Sequence, residues 1–365
     1  MLCAGVNAAA REPRIEVRCP APPAVVNAES KPVLVYELQI TSFESVALTL
    51  KTLEIFGDSA GKVPLATYSG AALSPILDLI GPAPAGQPSD TIGPGQRAVV
   101  YLWIAVNPSG PAPSSLRHRL VFTRIFNSSE KPDEETALDK FEVKVNPGPP
   151  VVLSPPFSGG IWLAGNGPSN TSDHRRTLVA LDGGAFIAQR FAIDWVKIGA
   201  NGDTTHDGKD RNENYWGYGE PVHAVADGEV TEIVNDIPDN TPHHLPADFT
   251  LQNIAGNHVI IKIAPELFVT FAHLQPGSIK PRVGEHVRRG DVIALLGDSG
   301  NTTGPHLHLQ VTNGNSVLGS EGVPFVFDKY QFLGPGADYP EKQVSEPRVR
   351  SLPVENSVVK FGAGN

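Results

Sequence analysis

Short runs of apolar and β-branched residues, each cut off by Gly or Pro before it reaches helical length, direct this chain toward β-sheet. A helical pattern needs roughly 10–12 uninterrupted residues, whereas a strand is complete in about 4–8. Residues 33–40 and 47–55 read as strands, the second alternating cleanly. Residues 98–106 follow the turn Gly93-Pro94-Gly95, and residues 116–124 and 141–145 supply two more strands. The 36 Gly and 34 Pro among 365 residues provide the turns that many short strands require.

The stretch Asn146-Pro147-Gly148-Pro149-Pro150 divides the chain, because proline cannot continue a central strand. We therefore expect an all-β protein of two domains, as its length also suggests. Residues 14–146 should form an immunoglobulin-like sandwich. Residues 147–159 should be a Pro-rich linker, 160–335 a second domain built on antiparallel sheet, and 336–365 a C-terminal tail. Within the second domain, residues 222–230, 257–263, 267–273 and 292–296 read as strands. Residues 1–13 lack a positively charged start and a full apolar core, and are expected to be disordered or the remnant of an export signal.

The formal net charge of −10 argues against nucleic acid as a partner, and no Lys/Arg run marks a membrane-surface patch. No run reaches the roughly 18 apolar residues of a transmembrane segment. Cys3 and Cys19 are the two cysteines, either paired with each other or separate thiols. A Cys₄ zinc site is excluded, so any metal must be held by His and carboxylates. The sequence leaves the oligomeric state open.

Ten of the eleven histidines follow Gly160. His118, alone in the first domain, reads as a structural strand histidine. Pro305-His306-Leu307-His308-Leu309 is the strongest local signal of chemistry. On a strand, positions i and i+2 share a face, so His306 and His308 converge. Such a pair can share a metal, or divide metal binding and proton transfer between them. His273 ends a strand just before a Pro-Gly turn, where functional residues concentrate. Asp194 places a carboxylate inside the apolar run Phe191-Ala192-Ile193-Asp194-Trp195, which is costly unless it is paired or bound to metal.

Seven ordered blocks extend this pattern. They are Ile193-Asp194; Pro221-Val222 through Asp227-Gly228-Glu229-Val230; Gly256-Asn257-His258-Val259; and Ala272-His273-Leu274. After them come Val283-Gly284 through Arg289-Gly290-Asp291, Leu296-Gly297 through Ser299-Gly300, and His306-Leu307-His308. Together, over roughly residues 174–330, they resemble the lysostaphin-type or LytM-like (β-lytic) zinc metallopeptidases. The resemblance implies one Zn(2+) ion, with Asp194 and His308 as ligands and His306 and His273 as catalytic histidines. It also implies hydrolysis of peptide bonds in peptidoglycan or another extracellular peptide, and an extracytoplasmic location.

One position departs from that family. Its first ligand is a histidine four residues before the aspartate, and Arg190 stands there in this chain. Arginine has no lone pair to give a metal, and beside Asp194 it would form an ion pair. Either another residue completes the ligand set, or the metal is weak, or the site is inactive. His174 is the preferred substitute, with His206 and His223 behind it. An inactive relative that binds wall peptides or regulates another hydrolase is the alternative to a working zinc endopeptidase.

The excursion between Asp194 and Pro221 is longer than the family usually needs. It offers Tyr215, Trp216 and Tyr218 as substrate-binding rings along a groove. Gly297-Asp298-Ser299-Gly300 looks like a serine-protease loop, but the surrounding blocks argue against a Ser299 nucleophile. A biotinyl-type carrier would need a lysine where Arg288-Arg289 stands.

Overall fold

The computed structural model describes residues 12–58, 62–108, 110–208, 210–246 and 250–362. Cys3 and most of the expected N-terminal remnant lie outside them. Among the described residues the elements are strands with a few single-turn helices, and no helix is long and apolar enough to cross a membrane. The chain divides into two compact units. The first comprises Met1–Val25 and Pro32–Pro149, the second Val26–Lys31 and Pro150–Asn365.

The first unit is a sandwich of two antiparallel sheets. One carries Lys31–Ser42 paired with Arg97–Ala105, flanked by Ile15–Arg18 and Leu77–Leu79. The other runs Glu134–Lys144, Ser115–Ile125, Ala47–Gly57, Ala66–Ser69. Alternation explains the core: Leu34, Tyr36, Leu38 and Ile40 meet Leu48, Leu50, Leu53 and Ile55 from the facing sheet. His118 lies in this core as a structural group. Its Nε2 accepts from the Tyr36 hydroxyl at 2.8 Å, and its Nδ1–H donates to Phe141 O at 3.2 Å. Burial pushes its pKa down to about 4, so the ring is neutral. The Cys19 thiol donates to Ala21 O.

The second unit is built on one eleven-stranded sheet. Its centre runs Ile161–Gly165, Ile193–Ile198, Leu307–Thr312, Leu267–Leu274, Asn257–Ala264, Gly228–Val234, all antiparallel. Residues 222–230, read as one strand, instead form parts of two. Pro221–His223 pairs with Val292–Leu295 in a small sheet, and Gly228–Val234 belongs to the large one. Gly228 makes the second entry close, since a Cβ there would sit 2.6 Å from Lys262 O. The stretch expected as linker contains Val151–Leu153, a strand parallel to Phe325–Phe327. The stretch expected as tail contributes Glu346–Ser351 and Ser357–Lys360 to the same sheet.

Candidate metal centre

The site grows out of strand register. Asp194 lies directly opposite His308 on the neighbouring strand, so the two side chains share a face. Alternation sends their neighbours the other way. Trp195 packs edge-on against Phe327 and Phe361, with ring centroids 5.7 and 5.1 Å away, while Leu307 and Leu309 are fully buried. A carboxylate is therefore fixed beside an imidazole by a strongly apolar opposite face.

His273 reaches the same face by breaking alternation. Ala272 pairs with His308, so a regular strand would turn the next side chain away. The pairing of Leu267–Leu274 with Asn257–Ala264 instead shifts between Asn257 and Val259, and His273 takes φ 62. Its ring then lies 4.7 Å from that of His306 and 6.0 Å from that of His308. The Gly297–Gly300 loop supports this turn. A Cβ on Gly256 would fall 2.2 Å from Ser299 O, and that carbonyl accepts the His273 Nδ1–H at 2.7 Å. The Ser299 hydroxyl is buried between Asn257 N and Leu274 O, a structural position and not a nucleophile's.

Three ligand atoms converge. His174, Asp194 and His308 each offer one, all within 4.8 Å of one another. The partners of their other atoms assign the tautomers. His174 donates its Nδ1–H to Asn166 O at 3.0 Å, leaving the Nε2 lone pair 3.3 Å from Asp194 Oδ2. Gln310 gives its amide N–H to Val317 O, so its Oε1 faces His308 and accepts the Nε2–H at 2.9 Å. That leaves the lone pair on His308 Nδ1, 2.9 Å from Asp194 Oδ1. Lone pairs turned toward a carboxylate repel it unless a cation lies among them, so this donor set fits a metal ion of the zinc type.

The electrostatics agree. Burial holds the His174 pKa down to about 4, against the pull of Asp194, so no proton bridges that contact near neutrality. Burial opposes ionisation of Asp194, but the charges of His174 and His306 outweigh it and keep the carboxyl well below its usual range. Burial and the neighbouring His306 push His273 well down. Burial also opposes charge on His306, yet Asp194, with Oδ1 3.4 Å from its Nε2, raises it overall. His306 donates Nδ1–H to Gly304 O at 2.9 Å, with the Thr302 hydroxyl at 3.1 Å.

Of the three substitutes considered for the missing ligand, the fold brings His174 to Asp194. His206 lies against Trp216, ring centroids 3.7 Å apart, and His223 binds Gly290 O. Arg190 is buried and directs its guanidinium to Glu321 Oε2 at 2.7 Å and Gly322 O at 2.9 Å. Tyr215 packs beside Gly304 and meets His243, and Tyr218 donates to Asp239 Oδ2 at 2.8 Å. Trp216 packs against His206 and close to Gly199. The sequence reading missed Asn166 and Gln310. Asn166 also donates its amide to Asp194 Oδ2 at 2.9 Å. Gln310 could have been suspected, since it continues the i, i+2 face of His306 and His308.

The antiparallel sheet thus brings together a His/Asp group that could hold a metal ion, with two further histidines beside it, an arrangement suited to metal-dependent hydrolysis. Residues 204–318 match the family model for peptidase family M23, and this stretch is an M23 peptidase domain. The match includes His273, His306 and His308 and begins after His174, Arg190 and Asp194. An uncharacterized metalloprotease of Haemophilus influenzae is 34% identical over 88 residues, covering 22% of this chain and 18% of its own. Peptidoglycan DD-endopeptidase ShyC of Vibrio cholerae is 40% identical over 92 residues, 25% of this chain and 17% of its own. The chain thus spans about a fifth of the length of these curated relatives. Among solved structures, the catalytic domain of the antimicrobial peptidase lysostaphin from Staphylococcus simulans is 18% identical. It covers 46% of this chain and 88% of that one at a TM-score of 0.24.

Proposed function

We propose that the second unit is a zinc-dependent metalloendopeptidase that hydrolyses peptide bonds in peptidoglycan stems or cross-bridges, outside the cytoplasm. The observation that carries this reading is the His174 ring beside Asp194 and His308, which supplies a third donor where Arg190 offers none. This weighs against an inactive relative, because the premise of that alternative was an incomplete ligand set. The likeness of a 92-residue stretch to a DD-endopeptidase supports the choice of substrate.

One Zn(2+) held by His174, Asp194 and His308 would supply Lewis acidity and lower the pKa of a bound water. The remaining work falls to protein groups. His273 and His306 each commit Nδ1–H to a backbone carbonyl, which leaves Nε2 as the nitrogen that exchanges a proton, that of His306 lying 3.4 Å from Asp194 Oδ1. The two rings differ in basicity, since burial keeps His273 neutral while Asp194 favours charge on His306. We assign His273 the role of orienting and deprotonating water. We assign His306 that of donating a hydrogen bond to the developing oxyanion. Tyr215, at the rim beside Gly304, is the ring best placed to contact substrate.

The test is release of soluble peptides from purified peptidoglycan by the zinc-loaded protein. His306→Ala and His273→Ala should each lower the rate about 10²-fold or more. Full activity in both variants would overturn the reading.

A further inference from the structure

On the second unit, away from the histidine cluster, lies an open groove of about 860 Å³. None of His174, Asp194, His273, His306 or His308 lines it. Its walls carry four cations, Arg289, Lys329, Arg348 and Lys360, against the single carboxylate Asp328. That sign is opposite to the chain's net charge of −10, so the cations are concentrated there against the overall field. Asp328 does little to satisfy them, lying 3.7 Å from a mostly exposed Arg289. Arg348 sends Nη2 to Glu346 at 2.6 Å, while its buried Nε has no hydrogen-bond partner.

Shape and composition narrow the ligand. The groove is far larger than a single phosphate or carboxylate needs. Its aromatic rings, Phe157 and Tyr330, are only 3% and 4% exposed, so no ring face is available to stack on a sugar. Glu346–Ser351 contributes Arg348 to the wall, and Phe325–Pro335 is its only strand partner among the described residues. Asn27 Nδ2 already donates to Arg350 O at 3.2 Å, so the edge left to hydrogen-bond an extended backbone is the stretch of residues 346–349.

We propose that this groove binds an extended peptide bearing several carboxylates, holding a second peptide segment of the wall polymer while the histidine site cuts another. The binding site stands on its own residues. Only the source of the peptide rests on the function proposed above.

The test uses the full chain and fluorescence anisotropy with a labelled hexapeptide containing three glutamates. The expected result is an affinity at least about tenfold above that for the all-glutamine peptide, lost on raising salt. Lys329→Glu combined with Lys360→Glu, at two exposed positions, should abolish that preference while leaving the melting temperature and the zinc content unchanged. Equal binding of the two peptides, equal binding by the double variant, or tighter binding of a uronic-acid oligosaccharide would each overturn the proposal. Peptide binding without any hydrolysis of peptidoglycan would retain the groove and reject the peptidase reading instead.

Discussion

Nε2 of His174 lies 3.3 Å from Oδ2 of Asp194, although the two residues belong to segments that sequence alone does not connect. Asn166 ties them together. Its carbonyl accepts the His174 Nδ1–H, and its side-chain amide donates to the same carboxylate oxygen of Asp194. Hydrogen bonds behind metal ligands fix their orientation and basicity. Asn166→Gly keeps the left-handed backbone at φ 45 and removes only the amide. Competition with a chelator should then show zinc affinity reduced roughly 10–100-fold. Unchanged affinity would separate Asn166 from the site.

Gln310 should matter as much for the opposite ligand. Replacing it with leucine leaves the His308 Nε2–H buried without its acceptor and frees the ring to choose the other tautomer. Gln310→Leu should weaken zinc by a similar factor, and nitrogen chemical shifts of His308 should report the tautomer change.

Much of this centre was legible in the sequence. His306 and His308 declared themselves through strand alternation, because two residues two apart must share a face, and Asp194 through the cost of a carboxylate inside an apolar run. His273 was found through its place before a turn, although its strand alternation would have pointed it away and only the bulge restores it. His174 was preferred over His206 and His223 from its place at the entry to the domain, but its approach to Asp194 depends on long-range packing of a loop and a helical turn that the sequence pattern does not encode. Glu346–Ser351 was missed because an exposed strand of charged residues and proline has no apolar alternation. The two-sheet sandwich followed from the pattern of short strands, whereas which strands pair is set by long-range contacts that the pattern does not encode.

Arg190 occupies a ligand's position in sequence but acts as a structural cation. Its guanidinium and Glu321 form a buried ion pair, and removing one partner strands the other charge. Arg190→Leu should destabilise the protein by about 3–5 kcal/mol in urea unfolding. Zinc per folded molecule should stay the same. Loss of zinc without loss of stability would place Arg190 in the metal site.

Gly256→Ala should separate catalysis from metal binding. The added Cβ would meet Ser299 O, the acceptor of the His273 Nδ1–H, and φ +57 disfavours any side chain there. Peptide release should fall far more than zinc content. Equal loss of both would mean that the loop supports the ligands as well.

The first unit should carry an acid sensitivity of its own. The folded pKa of His118, about 4, lies below the ordinary value of 6.5, so the unfolded chain binds the proton more tightly. Its burial therefore costs nothing extra above pH 6.5, and stability is lost as pH falls from 6.5 to about 4. The shift is worth about 3 kcal/mol at one pKa unit per 1.36 kcal/mol. His118→Gln should flatten that stretch of the stability-against-pH curve in chemical denaturation. An unchanged slope would assign the acid sensitivity elsewhere.

The ligand set is the centre of the account, and zinc stoichiometry measured on the purified full chain by mass spectrometry tests it most directly. One zinc per chain is expected, lost in both His308→Ala and His174→Ala and retained in His206→Ala and His223→Ala. Full zinc in His174→Ala, or none in the unaltered protein at micromolar free metal, would contradict it.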